Sequence, residues 1–172
     1  MISINRRSLF ALFAAAPALK ATLAHAVDAL PAARFVGFCQ AVNDFEINSG
    51  RLALSRSANE NVRAYATRAV AEYTDAASTL SKSRSEAGVS YAPDGQMGPM
   101  TSNLMNQLNA QQGPAFDTAF ANAQLAVQTA SEGQLGAYSQ NGDTGALRRY
   151  AQNMLPKAKM HLEFAKRLAG GR

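Results

Sequence analysis

The amino-acid sequence predicts an all-α chain, an up-down four-helix bundle with one short accessory helix. Apolar residues recur three and four apart along four long segments, the spacing that gathers them on one face of a helix. The segments carry helix punctuation, with Pro31 and Pro114 near starts and Gly88 and Gly113 at stops. No run alternates with period two over a useful length, so strands find no support.

The first helix opens at Pro31, whose missing N–H costs nothing in a first turn, and runs to about Arg56. Its stripe is Phe35, Phe38, Cys39, Val42, Phe45, Glu46, Ser49, Leu52 and Ala53. Gly37 and Gly50 interrupt it, each at about 1 kcal/mol against alanine, so either packing compensates or their bareness lets a neighbour come close. The turn Ser57-Ala58-Asn59 follows, and Ser57 stands three residues before Glu60, the spacing of a reciprocal hydroxyl–carboxylate cap. The second helix is expected from Glu60 to about Ala87, with Val62, Tyr65, Ala66, Ala69, Tyr73, Ala76, Ala77 and Leu80 inward. Arg56, Arg63, Arg68, Lys82 and Arg84 read as a solvated face. Gly88 to Pro99 is an irregular crossover or lid, and Met100 to Gln112 a short polar helix burying Leu104, Met105 and Leu108. Pro114 opens the third long helix, with Phe116, Phe120, Gln124, Val127, Gln128, Ser131 and Leu135 inward. The turn Asn141–Gly145 precedes the fourth, whose stripe runs Leu147, Tyr150, Ala151, Met154, Ala158, His161, Leu162, Ala165 and Leu168, with a kink expected at Pro156.

Residues 1–26 read as a targeting segment. They combine a basic start at Arg6-Arg7, an apolar run from Ser8 to Leu19 and the small-residue pattern Ala24-His25-Ala26. The run is short of the roughly 20 apolar residues that span a bilayer. Asn5-Arg6-Arg7-Ser8-Leu9-Phe10 fits a twin-arginine export signal, with the general secretory route as the alternative. The expectation is a mature domain of residues 27–172, exported to a periplasm.

Charge and cysteine content narrow the function classes. The chain carries a formal +5, but three basic residues and no acids lie in residues 1–26, so the mature part holds 14 basic and 12 acidic side chains, a net of +2. These are interspersed rather than gathered in a stripe, which removes the argument for a nucleic-acid partner. The single cysteine, Cys39, forbids an intramolecular disulfide and reads as a small buried residue sharing a face with Phe35, Phe38 and Val42.

Taking the most polar or titratable residue from each inner stripe gives Glu46, Tyr73, Gln128 and His161, one per long helix, as a candidate polar core cluster. Helical bundles that hold two metal ions use a glutamate from each of two helices and a Glu-x-x-His pair from each of the others. That set is missing here: Ala158 precedes His161 by three, and Val70 precedes Tyr73. A metal held by Glu46 and His161 alone would be underliganded, so the expectation is no metal and no cofactor, with a buried Glu–His or Glu–Tyr hydrogen bond instead. No catalytic residue is expected: there is no Gly-rich phosphate loop, no nucleophile elbow, and one histidine beyond residue 26.

The pieces FEINSGRLALSRSANENVRAYA, FDTAFANAQLAVQ and ALRRYAQNMLPKAKMHLEFA together resemble a bacterial family of exported domains of unknown function, whose members are commonly labelled predicted outer membrane proteins. The resemblance covers about Ala33 to Leu168. It implies a fold similar to the ferritin-like bundle, an envelope location and an association with the outer membrane. In that family pattern the second helix carries an acid–histidine pair and the third a histidine; here the positions read Glu72-Tyr73 and Gln128, while Glu46 and His161 match. The departure argues against carrying over a metal role. The function expected is therefore a non-enzymatic binding or envelope-stress protein, its partner an envelope protein or a small ligand. The alternative is a degenerate metal-binding or redox bundle.

Overall fold

A computed structural model describes residues 27–170. Among them are five α-helices and no strand: α1 (Ala32–Arg56), α2 (Glu60–Ala87), α3 (Met97–Asn109), α4 (Gly113–Asn141) and α5 (Gly145–Ala169). The expected export signal lies outside these residues. The four long helices form a closed ring of neighbours, α1 against α2, α2 against α5, α5 against α4 and α4 against α1, while α3 lies on α1 and α4.

Contacts across the interior fix the helix directions. Tyr65 and Tyr73 of α2 reach Gln124 and Gln128 of α4 in the same order, so these diagonal helices run parallel. Phe35 stacks on Tyr138 while Ser49 meets Gln124, so α1 and α4 run antiparallel. The direction of α4 therefore repeats that of α2 instead of alternating with it. The reason is the crossover: it starts beside the front of α1, where the Ala92 N–H donates to the Ala33 carbonyl, and α3 carries it along α1 to Leu108, beside Arg56.

Local chemistry explains the ends. Asn59, not Ser57, caps α2: its Oδ1 accepts from the N–H groups of Asn61 and Val62 at 2.9 and 3.4 Å. Ser57 instead takes the N–H of Asn59 and holds the turn, because the residue directly before Glu60 is the one placed to meet the free donors of the first turn. Gly88 closes α2 in the left-handed conformation, at φ 64°. The accessory helix starts one turn earlier than Met100 and ends at Asn109. The Asp94 carboxylate draws it back, accepting from the N–H groups of Gln96, Met97 and Gly98. Asp143, in the α4–α5 turn, accepts from the Ala32 N–H at 3.1 Å and from the Tyr138 hydroxyl at 2.6 Å, capping α1 where Pro31 has no side-chain donor or acceptor to offer. α5 continues unbroken through Pro156.

Two arginines of the expected solvated face have structural tasks. Arg63 donates to the carbonyls of Leu54 and Ser57, and Arg56 Nη1 to those of Leu108, Asn109 and Gln111 at 3.0 to 3.1 Å. The carbonyls at the end of α3 have no following turn to supply i+4 donors, the Leu108 carbonyl accepting from the Gln111 N–H at 3.2 Å instead, so a guanidinium is well matched to them. Arg56→Ala should lower stability by about 1 to 3 kcal/mol in urea unfolding; a change within the scatter of ordinary surface substitutions would remove this lock from the account.

Candidate functional site: the polar interior

Each of the four expected residues is buried: Glu46, Gln128 and His161 are 0 % exposed and Tyr73 is 2 % exposed. Their helical stripes turn them inward, and the α2–α4 diagonal brings Tyr73 and Gln128 into direct contact. The Tyr73 hydroxyl lies 3.0 Å from Oε1 and 2.8 Å from Nε2 of Gln128. Tyr65, two turns before Tyr73 on the same stripe, lies 3.4 Å from the same amide nitrogen.

Glu46 is served mainly by a residue outside the original four. With its amide nitrogen turned toward the carboxylate, Gln124 donates to both Glu46 oxygens at 2.7 and 2.9 Å, and its oxygen accepts from Ser49 Oγ at 3.0 Å. The reverse orientation would set the amide oxygen against both carboxyl oxygens, whereas the nitrogen-inward arrangement gives those oxygens a donor and Ser49 an acceptor. Burial pushes the Glu46 carboxyl up to about 8, with hydrogen bonding from Gln128 and Tyr65 pulling it partway back. Glu46 is thus largely a neutral acid at pH 7. Burial, and then the nearby Glu46 charge, also hold the phenols of Tyr65 and Tyr73 well above the usual tyrosine range.

His161 does not join Glu46. Its Nε2 lies 2.8 Å from Oε2 of Glu72, which sits at the edge of α2 with its side chain 25 % exposed. A carboxylate only accepts, so the imidazole proton resides on Nε2, and the buried Nδ1 has no partner. Burial lowers the His161 pKa, and the hydrogen bond that the imidazole donates to Glu72 opposes the shift. Tyr65 and Tyr73 pack their rings against the imidazole, with centroids 5.2 and 5.3 Å away. The bond expected between Glu46 and His161 is therefore not formed; His161 bonds Glu72 instead. α1 and α5 stand on opposite corners of the ring, and the tyrosines lie on the interior between them.

The interior near neutral pH is accordingly a set of amides, phenols, one neutral carboxyl and one neutral imidazole. Among the described residues no group of three or more His, Cys, Asp and Glu side chains is arranged to hold a metal ion. The pair weighed for a metal is split, Glu46 facing Gln124 and His161 facing Glu72. Sequence reasoning passed over Gln124, Tyr65, Ser49 and Glu72. The first three were on the inner stripes, and taking one polar residue per helix set them aside. Glu72 lies off the inner stripe of α2, and only the resembled pattern points to it. Cys39 is buried as expected, and burial raises its thiol pKa.

Comparison with known proteins gives no match among curated proteins and none among solved structures. The family described as Domain of unknown function (DUF4142) matches residues 14–168, and the chain belongs to that family.

Proposed function

We propose that the protein is an exported, ferritin-like four-helix bundle of the periplasm that binds a small ligand or an envelope partner and catalyses no reaction. One observation carries the reading. The interior, where related architectures assemble carboxylates and histidines around metal ions, is closed here by amide–hydroxyl and amide–carboxyl hydrogen bonds among Glu46, Ser49, Tyr65, Tyr73, Gln124 and Gln128. Such a network stabilises and specifies a core without presenting a reactive group. The single long crossover and the parallel α2–α4 diagonal support the ferritin-like topology. No helix among the described residues is long and apolar enough to cross a membrane, in keeping with a domain released by its signal.

The unpartnered Nδ1 of His161 favours a second reading, a bundle that has lost most of a metal or redox site. One preparation separates the two. Protein purified from the periplasm should have a mass that starts at Val27 and should contain no stoichiometric metal. Near-stoichiometric iron, manganese or zinc would overturn the binding reading, and an intact amino terminus in the membrane fraction would overturn the export reading.

A further inference from the structure

Outside the polar interior, a concavity among the described residues lies between the front of α1, the start of α3 and the middle of α4. It encloses about 410 Å³, against about 260 and 290 Å³ for two more polar clefts, one between α1 and α2 and one between α1 and α3. That volume falls in the range of small-molecule sites, roughly 300 to 1,000 Å³. Its walls are mainly apolar: Leu30 and Phe38 from α1 and the segment before it, Met97 and Met100 from α3, Ala130 and Gly133 from α4. The two methionines are flexible and polarisable, suited to apolar chains of varied shape.

Two details argue that the concavity is a built site. Gly133 stands inside α4, where glycine is a poorer helix former than alanine. Packing does not demand it, because an added Cβ would meet only Val27 Cγ2 at an ordinary 3.5 Å. Gly133 and Val27 both line the groove, so the missing Cβ leaves room between them. Arg34, exposed at one edge, is the only charged side chain lining the groove besides Asp94. Asp94 is committed to the backbone of α3, and Arg34 meets only its main-chain carbonyl through Nη2. No ion pair holds Arg34 among the described residues. An apolar trough with a guanidinium at its rim that is hydrogen-bonded to one main-chain carbonyl but in no ion pair matches an amphiphile with one anionic head, since a guanidinium binds a carboxylate through paired donors.

We propose that this groove binds a free fatty-acid-type monocarboxylate, its head on Arg34 and its chain along Leu30, Phe38, Met97, Met100 and Ala130. The assignment deepens the binding reading above and rests on it. The test is isothermal titration of protein expressed from the complete reading frame with decanoate, decanol and anionic phospholipid vesicles. Decanoate should bind, and decanol should bind about tenfold to a hundredfold more weakly, the range a charge-assisted hydrogen bond supplies. Arg34→Gln should bring decanoate down to the level of decanol and leave decanol unchanged. Ala130→Phe, which fills the trough from a half-buried position on α4, should abolish both, with circular dichroism verifying that each variant is folded. Equal binding of decanoate and decanol, undiminished binding by Ala130→Phe, or binding of vesicles alone would overturn the assignment. Failure of decanoate to bind to a metal-free protein would sink this site and leave the binding reading standing, whereas stoichiometric metal would sink that reading independently of the groove.

Discussion

Glu46→Gln should become progressively more stable than the natural chain as pH rises from about 4.5 to 9. In the unfolded chain Glu46 titrates near the ordinary 4.5, and in the fold burial moves it to about 8. Below pH 4.5 both states hold the proton, and ionisation costs the fold nothing. Between 4.5 and 8 the unfolded chain has released the proton while the folded one keeps it, so stability falls with rising pH by up to about 1.4 kcal/mol per unit. Above 8 both states are ionised and the loss is complete, about 3 to 5 kcal/mol in all. Glutamine has no proton to lose and keeps an acceptor for Gln124, so its variant should escape the decline. The stability difference between the two proteins, followed by urea unfolding at pH 4.5, 7 and 9, isolates this group from the other titrations. A difference that stays constant with pH would mean that Glu46 is ionised in the folded state, and the neutral interior described above would be wrong.

His161 contributes in the opposite sense. Its pKa is lowered in the fold, so its stabilising contribution is present above the unfolded value of about 6.5 and is lost as pH falls through the folded value. The two residues were selected by one argument, each being the most polar member of an inner stripe, and that argument placed both indoors. It could not pair them. Periodicity assigns a residue to a face of its helix, whereas bonding depends on which helices are neighbours and which way each runs. α1 and α5 are diagonal, so a Glu46–His161 bond would have to cross an interior occupied by Tyr65 and Tyr73. Gln124 and Glu72 lie on the helices that α1 and α5 do touch.

The helix limits show the same division between local and distant causes. α2 spans the Glu60–Ala87 its apolar stripe predicts and stops at Gly88 as expected, although its cap is Asn59 and not Ser57. The start of α3 was not legible. Its donors are met by Asp94, three residues before the first helical position, a contact that depends on the path of the crossover as well as on spacing. Arg56 looked like a surface charge for a similar reason. Its acceptors at Leu108, Asn109 and Gln111 lie more than fifty residues away in sequence.

Gly37 turns that lesson into an expected loss of stability. A Cβ at this position would lie 2.0 Å from the Ala92 carbonyl oxygen and 3.0 Å from its carbon. Both atoms belong to backbone that has little freedom, since the Ala92 N–H is tied to the Ala33 carbonyl and Asp94 just beyond holds the start of α3. Gly37→Ala should therefore push the crossover off α1. The intrinsic helical gain of alanine, about 1 kcal/mol, is outweighed by overpacking, which costs about 1 to 3 kcal/mol and more where backbone must move, together with the strained Ala92 hydrogen bond. A net loss of about 2 to 4 kcal/mol is expected. Gly136→Ala supplies the contrast. It also lies inside a long helix, but its Cβ would meet nothing within 4 Å, so the same substitution should stabilise by up to about 1 kcal/mol. Urea unfolding of both variants, with hydrogen exchange at the Ala92 amide, gives the sign of each. Gly37→Ala that is neutral or stabilising, with the Ala92 amide still protected, would show that the crossover does not press on α1, and the account of why α4 runs parallel to α2 would lose its anchor at the front of the chain.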